Sequence, residues 1–488
     1  MVYMDLAVKN TQKNTPKWYN SKCSNKLTKG CSTMNKITQN NEESTCFSQS
    51  IENFMSHFFV SRLAKASNAQ KQKGVPFMDI FNFLVTATFR SKTAYCDYKQ
   101  HKDQLEFSDK TYRNTMNNGK ISWEKLSASL GCEVAKEAEI LTDESRKNIL
   151  ALDDSNHPCP NAKKAELSAK QFDHARHIYT RSYRFLQLGW SDGNTFIPVG
   201  SSLLSGTKGR VEPKDKIDHR TTAGKRRARA LGKANEVGLE LIENTLKMGT
   251  PADYVLFDSW FSNPTMFHKI KKLNIDCICM LRKSQKLHYL YQGEMRSVMD
   301  IYKMNRKRPG RSKYLLEVIV EAVSTETGET MPVKLVFVRK RGNKKQYLVL
   351  ASSDVTLDPE EIIRLYGKRW KIEIFYKVCK QYLHLSGYQG LSYDGIYAHV
   401  AIVSIAYIIL AVQQREQTDD RTIGDLFYLM VAEMEDMTYV QAIQQLLTLF
   451  SEAFKKEPVI SEEELNNITE KFIQSLPIWT QKHLLEVA

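Results

Sequence analysis

Three carboxylates far apart in the chain stand where chemistry could gather them. Asp153 ends the apolar run ILALD and is followed at once by Asp154; Asp258 ends YVLFD, 105 residues after Asp153; Glu373 lies a further 115 residues on, in a helical stretch. Three such groups held together repel one another unless cations sit between them, so the arrangement calls for a divalent-metal site. Hard oxygen ligands suit Mg²⁺, with Mn²⁺ as a substitute, rather than zinc. Two such ions about 4 Å apart can activate an attacking oxygen and stabilise the leaving one, which is what phosphoryl transfer on nucleic acid requires. Alternation along a strand sends Asp153 and Asp154 to opposite faces, leaving either as the first acid.

The surroundings of Glu373 are equally specific. The stretch DPEEIIRLYGKRWKIEIFYKVCKQYL, Asp358 to Leu383, opens with Asp-Pro, a helix start, and predicts one long helix. Tyr366, Arg369, Tyr376, Lys377 and Lys380 fall within about 60° of Glu373 on its wheel, while Ile372, Ile374, Phe375, Val378, Cys379 and Tyr382 point the other way. The front is thus one carboxylate among cations and phenols, over an apolar back. Arg369, Glu373 and Lys377 are also spaced i, i+4, i+8, as in a solvated helix laced by ion pairs contributing a few tenths of a kcal/mol each.

The elements that must position these residues follow from periodicity. Residues 1–45 are polar with almost no apolar pattern and are expected to be disordered. Residues 46–147 read as helices; Ser108-Asp109 and Ser122 flank the turn NNGK, and two short helices exposing Lys110, Arg113 and Lys120 resemble a helix-turn-helix. From residue 148 to 273 strands and helices alternate: Ile149 to Asp153, a hairpin of Tyr183–Trp190 and Thr195–Val199 around Gly193, helical periodicity from Thr221 to Lys247, then Asp253 to Asp258 and a helix begun at Asn263-Pro264. Residues 274–353 read as β-rich, and 354–415 as the Glu373 helix followed by the apolar run Ile396–Val412. That run is 17 residues long, contains His399 and Ser404, and reads as a buried core helix rather than a membrane span. The order is mixed α/β.

Composition narrows the partner. The net charge is +15, but residues 416–488 hold 14 acidic and 5 basic residues, or −9, so residues 1–415 carry +24. A basic body points to a polyanion, nucleic acid first, and the acidic helical tail to protein contacts. Two stretches concentrate the charge: Lys208 to Lys233, which includes Lys225, Arg226, Arg227 and Arg229, and Arg282 to Lys313, which includes Arg306, Lys307 and Arg308. Nine cysteines without repeated CxxC spacing argue against a zinc ribbon or a secreted disulfide framework and fit reduced thiols in a cytoplasm. His174 and His177 lack a partner pair for zinc, and Trp260 and Trp370 are expected in the core.

Tyr366, Arg369, Glu373 and Lys380 match Y-x2-R-x3-E-x6-K, and on this signature the chain resembles the insertion-sequence-four family of bacterial DDE transposases. ALDDS is similar to that family's first acidic strand and VLFDSWF to its second, and the likeness spans about Asp109 to Val412. The resemblance implies a ribonuclease-H-like core interrupted by a β-rich insertion, with Asp153, Asp258 and Glu373 binding two Mg²⁺ ions; Asp153 is preferred over Asp154 because related sites read Asp-x-Ser/Thr. It implies cleavage at terminal inverted repeats and joining of the 3′-OH ends to target DNA by a dimer, in a bacterial cytoplasm and on the nucleoid when bound. Residues 46–147 would bind the DNA end. Tyr366, Arg369 and Lys380 would hold phosphates, and the basic stretches would track the backbone. Relatives can stack a flipped base on a tryptophan of the insertion; here Tyr289, Tyr291 or Tyr302 would have to substitute. The competing readings are a catalytically silent DNA-binding protein of transposase descent and a metal-dependent nuclease without strand transfer.

Overall fold

The computed structural model describes residues 45–416, apart from 72, 91, 143–145, 174–176, 214–217, 310–311 and 340–345, together with Lys471. All but Thr45 and Lys471 fall in one compact unit, residues 46–435. The expectations for residues 1–44 and 417–488, and for His174, lie outside the described residues.

Six helices lead in: α1 (Thr45–His57), α2 (Val60–Ala66), α3 (Phe77–Phe89), α4 (Ala94–His101), α5 (Asp109–Met116) and α6 (Trp123–Ile140). They are followed by β1 (Ile149–Pro158), β2 (Ala169–Asp173), β3 (Ile178–Ser191), β4 (Phe196–Leu204), α7 (Thr222–Ala230), α8 (Ala234–Lys247), β5 (Tyr254–Phe257), α9 (Pro264–Lys271) and β6 (Asp276–Met280). Then come β7 (His288–Tyr291), β8 (Glu294–Ser297), α10 (Val298–Met304), β9 (Leu316–Val323), β10 (Thr330–Arg339), β11 (Tyr347–Ser352), α11 (Pro359–Gly367), α12 (Trp370–Gln381) and α13 (Tyr393–Glu416).

All eleven strands among the described residues join one mixed sheet. β4, β3 and β1 are antiparallel neighbours, and β5 and β6 then run parallel to β1. This order is consistent with the ribonuclease-H-like core that the resemblance implied. β11 pairs antiparallel with β6, and β10, β9, β7 and β8 continue outward. The β-rich stretch therefore extends the sheet.

The helical region shares a core with the sheet. α6, the second helix of the helix-turn-helix resemblance, packs one face on the sheet: Trp123, Leu126, Leu130, Val134 and Ala135 are buried, and at Gly131 an added Cβ would stand 2.1 Å from the Pro198 carbonyl of β4, while Lys110, Arg113 and Lys120 are exposed. Ser108 and Ser122 hold the N-cap positions of α5 and α6, but neither side chain accepts a capping hydrogen bond. Helix α13 is buried from Ile396 to Ala411 except at the half-buried His399, as a core helix should be.

Other expectations need correction. β1 does not stop at its aspartates but continues against β3 to Pro158. The helix around Glu373 is two helices, because the bonds of Lys368, Arg369, Lys371 and Ile372 tighten to the i→i−3 pattern after Gly367, a poor helix former. Trp260 and Trp370 are exposed, by 53 and 61%, and Ile374 shares the open strip of α12 with Trp370. Tyr289 is wholly buried and Tyr302 is stacked on Tyr347, so neither offers a free ring; the Tyr291 hydroxyl donates to Asn305.

Candidate active site

The sheet places the first two acids. Parallel β1 and β5 pair Leu152 with Phe257, so the next residues, Asp153 and Asp258, leave that pairing side by side, on strands about 4.8 Å apart. Asp153 is 15% exposed; burial, reinforced by the charges of Asp258 and Asp154, lifts its pKa to about 7 against the pull of Arg369 and the Asp154 N–H. Asp258 is raised too, chiefly by burial, and its Oδ1 accepts the Trp260 N–H at 2.9 Å. Asp154 points to the other face, where Arg184 grips it through Nε–Oδ2 at 2.7 Å and Nη2–Oδ1 at 2.8 Å. Only Asp153 of the pair faces the Glu373 helix.

That helix is held by both ends and its back. Asp358 Oδ1 caps α11 by accepting the Glu360 N–H at 2.8 Å. At the turn, Lys368 Nζ donates to the carbonyls of Lys147 and Asp192 beside the start of β1, packed over Gly193 at φ +101°. Farther along, Tyr376 Oη donates to the Asp153 carbonyl at 3.0 Å and Lys380 Nζ to Ser155 Oγ at 2.6 Å, so α12 follows β1 in the same sense. Phe375 packs on Phe196 and Tyr407 behind it. Tyr376, expected on the open front, is therefore buried between helix and sheet.

Between the carboxylates stands Arg369. Its Nη1 donates to Asp153 Oδ2 at 2.9 Å and its Nη2 to Glu373 Oε1 at 2.8 Å, with the guanidinium side chain only 15% exposed. Tyr366 lies beside it, ring centroid 5.8 Å from the guanidinium carbon, its hydroxyl buried without a hydrogen-bond partner. Burial raises that phenol's pKa; desolvation opposes the charge on Arg369, but Tyr366 and then Asp153 and Glu373 raise its pKa overall.

Among the described residues no three Asp, Glu, His or Cys side chains close on one point as metal ligands. The donor chemistry nonetheless fits a hard cation. All three side chains are carboxylates, two of them desolvated side by side, and a single guanidinium supplies the positive charge that joins Asp153 to Glu373.

The remaining predicted contacts divide. Lys377, Lys225, Arg306 and Arg308 are at the surface and Lys307 is half-buried, Arg308 being paired with Glu317. Arg226 and Arg227 are not available to DNA. Arg226, 1% exposed, bonds Glu124, Asp394 and the Ile121 carbonyl; Arg227 bonds Glu166 and Asp394; Arg229 pairs with Glu240. The periodicity that places them on one turn of α7 turns them inward, where acids from α6, the β1–β2 connection, α8 and α13 meet them. Sequence reasoning missed Arg184 and Lys368, whose partners no local spacing reveals.

A family profile described as DDE superfamily endonuclease matches residues 102–344. The match takes in Asp153 and Asp258 and ends before Glu373. It supports a DDE transposase-type family, nuclease chemistry and DNA as the substrate, and nucleases of that superfamily typically use divalent metal ions. No curated protein matches the chain.

Proposed function

We propose that this DDE transposase-type chain cuts DNA at the terminal inverted repeats of an insertion sequence of the four family and joins the freed 3′-OH ends to target DNA. The observation that carries the reading is the meeting of Asp153 and Asp258 at adjacent strand positions, with Glu373 tied to Asp153 through Arg369. Asp153, Asp258 and Glu373 would hold two Mg²⁺ or Mn²⁺ ions. When bound, these would polarise the scissile phosphate and lower the pKa of the attacking hydroxyl.

The chain's own residues supply position and charge. Tyr376 and Lys380 fix α12 along β1 and so fix Glu373 relative to Asp153. Arg369 and Lys380 stand on one flank, where phosphate oxygens can replace their present partners, and guanidinium geometry suits two-point contact. Tyr366 has a hydroxyl to donate on the same flank. The protein would work as a dimer on DNA in the cytoplasm, with residues 274–353 as the β-rich insertion.

A supercoiled plasmid carrying the gene with its own flanking repeats, incubated with protein and Mg²⁺, tests the proposal. Cleavage at the repeats with joined products is expected, lost in Glu373→Gln. Absence of cleavage, or undiminished cleavage by that variant, refutes it, and cleavage without joined products reduces it to a nuclease. Light scattering of the DNA complex at the mass of one protomer refutes the dimer.

A further inference from the structure

Because β1, β5 and β6 are parallel, their carboxyl ends share one edge of the sheet. β11 runs against β6, so its first residue, Tyr347, lies on that same edge, opposite Arg339 at the end of β10. Cations and rings alternate along it. The Arg184 and Arg282 guanidinium carbons stand 4.9 and 5.2 Å from the centre of the Trp260 ring system. The next residue, Lys283, has its Nζ 4.7 Å from the Tyr347 centroid; Tyr347 stacks on Tyr302 at 4.0 Å, and Lys307 Nζ stands 4.6 Å from Tyr302.

Two features separate this edge from an ordinary solvated rim. Trp260 follows Asp258 by two residues, is bonded to its carboxylate through the backbone, and keeps 53% of its surface open. Arg282, Lys283 and Lys307 pair with no carboxylate among the described residues; the two lysines donate to the carbonyls of Tyr347 and Lys303 instead. Fixed positive charge without counter-charge, beside an open indole, suits a polyanion with uncovered bases. A duplex satisfies the cations but hides its base faces in the stack, leaving the indole without a role.

We propose that this edge is a track for an unpaired DNA strand leading away from the carboxylates, with one base stacked on Trp260 and successive phosphates on Arg282, Lys283 and Lys307. From β5 to β10 the track crosses three strand intervals, about 14 Å. It rests on the reading above only in taking DNA as the polyanion.

The test is binding, in EDTA so that nothing is cut. Full-length protein is titrated into fluorescein-labelled oligothymidylate and into a blunt duplex, followed by anisotropy. Trp260→Ala is expected to weaken oligothymidylate about 5- to 100-fold and the blunt duplex little, with Trp260→Phe restoring most of the loss. The triple variant Arg282→Ala, Lys283→Ala, Lys307→Ala is expected to flatten the salt dependence on oligothymidylate by about two units of slope. Unchanged oligothymidylate binding by Trp260→Ala, or equal losses on both probes, overturns the proposal, as does an unchanged salt slope in the triple variant. Protein that binds oligothymidylate through Trp260 but cuts no plasmid defeats the nuclease reading alone; plasmid cleavage by protein whose binding ignores Trp260 defeats the track alone.

Discussion

Removing the Arg369 guanidinium tests whether it stands where a cation belongs. It makes two charge-assisted bonds, 2.9 Å to Asp153 and 2.8 Å to Glu373, in a setting only 15% open on its own side chain. Such bonds contribute about 1.5–3 kcal/mol each, so a cation entering between the carboxylates must displace at least about 3 kcal/mol of existing contact. In Arg369→Gln that competitor is gone, but not all of the gain is realised. Asp153, with a pKa already at about 7, binds a proton more readily once Arg369 no longer opposes it, and the proton competes in turn. The expected net effect is Mn²⁺ binding tighter by about 10- to 100-fold in DNA-free protein, read as loss of the free-ion paramagnetic resonance signal above pH 7. Asp153→Asn serves as the blank. Equal or weaker Mn²⁺ binding by Arg369→Gln, where Asp153→Asn abolishes it, refutes the idea that guanidinium and cation share one place.

The pH dependence has a definite sign. The folded pKa of Asp153, about 7, lies above the ordinary 3.8, so the folded chain keeps a proton that the unfolded chain has lost; stability falls as pH rises across that window, while cation affinity, which requires the proton to leave, increases. Mn²⁺ titrations near pH 5 and pH 8 should show this rise, flattened in Asp153→Asn, and tighter binding at the lower pH refutes it. Asp153→Asn should abolish plasmid cleavage while Asp154→Asn, which only frees Arg184, retains most of it; the reverse outcome makes Asp154 the ligand. Arg226→Ala leaves Glu124 without its buried partner and Asp394 with Arg227 alone, and should cost about 3–5 kcal/mol in urea unfolding, whereas Lys225→Ala on the exposed face should be near neutral; equal midpoints refute the buried network.

The strands that carry the acids were legible because each is a short apolar run closed by an aspartate, a pattern set by burial on both faces. Asp153 against Asp154 was legible only as alternation; which face meets α12 depends on β3 supplying Arg184 from 30 residues away. The helix break at Lys368 was hidden for a similar reason. A wheel drawn from Asp358 to Leu383 assumes continuous i→i−4 bonding, whereas Lys368 is pulled to carbonyls at positions 147 and 192 and the turn tightens around it. The wheel still brought Arg369 and Glu373 together, because four residues in one turn stay neighbours despite the tightening. It failed for Tyr376 and Ile374, whose faces depend on what lies across from them. β2, β7 and β8 escaped notice because four- and five-residue strands at a sheet's margin carry few apolar positions.

Net charge misleads in a related way. The stretch from Lys208 to Lys233 is as cationic as that from Arg282 to Lys313, yet its three central arginines are consumed internally by Glu124, Glu166, Asp394 and Glu240. An arginine on an amphipathic helix can face inward if distant acids are brought to it, because its planar fork satisfies several oxygens at once. In the second stretch Lys283 and Lys307 lie outside the strands and helices, where backbone carbonyls hold them without cancelling their charge. Counting lysine and arginine in sequence therefore overstates the field near α7 and understates it along the carboxyl edge of the sheet. Among the described residues, Arg282, Lys283 and Lys307, which pair with no carboxylate, lie on the same edge of the sheet as Asp153 and Asp258.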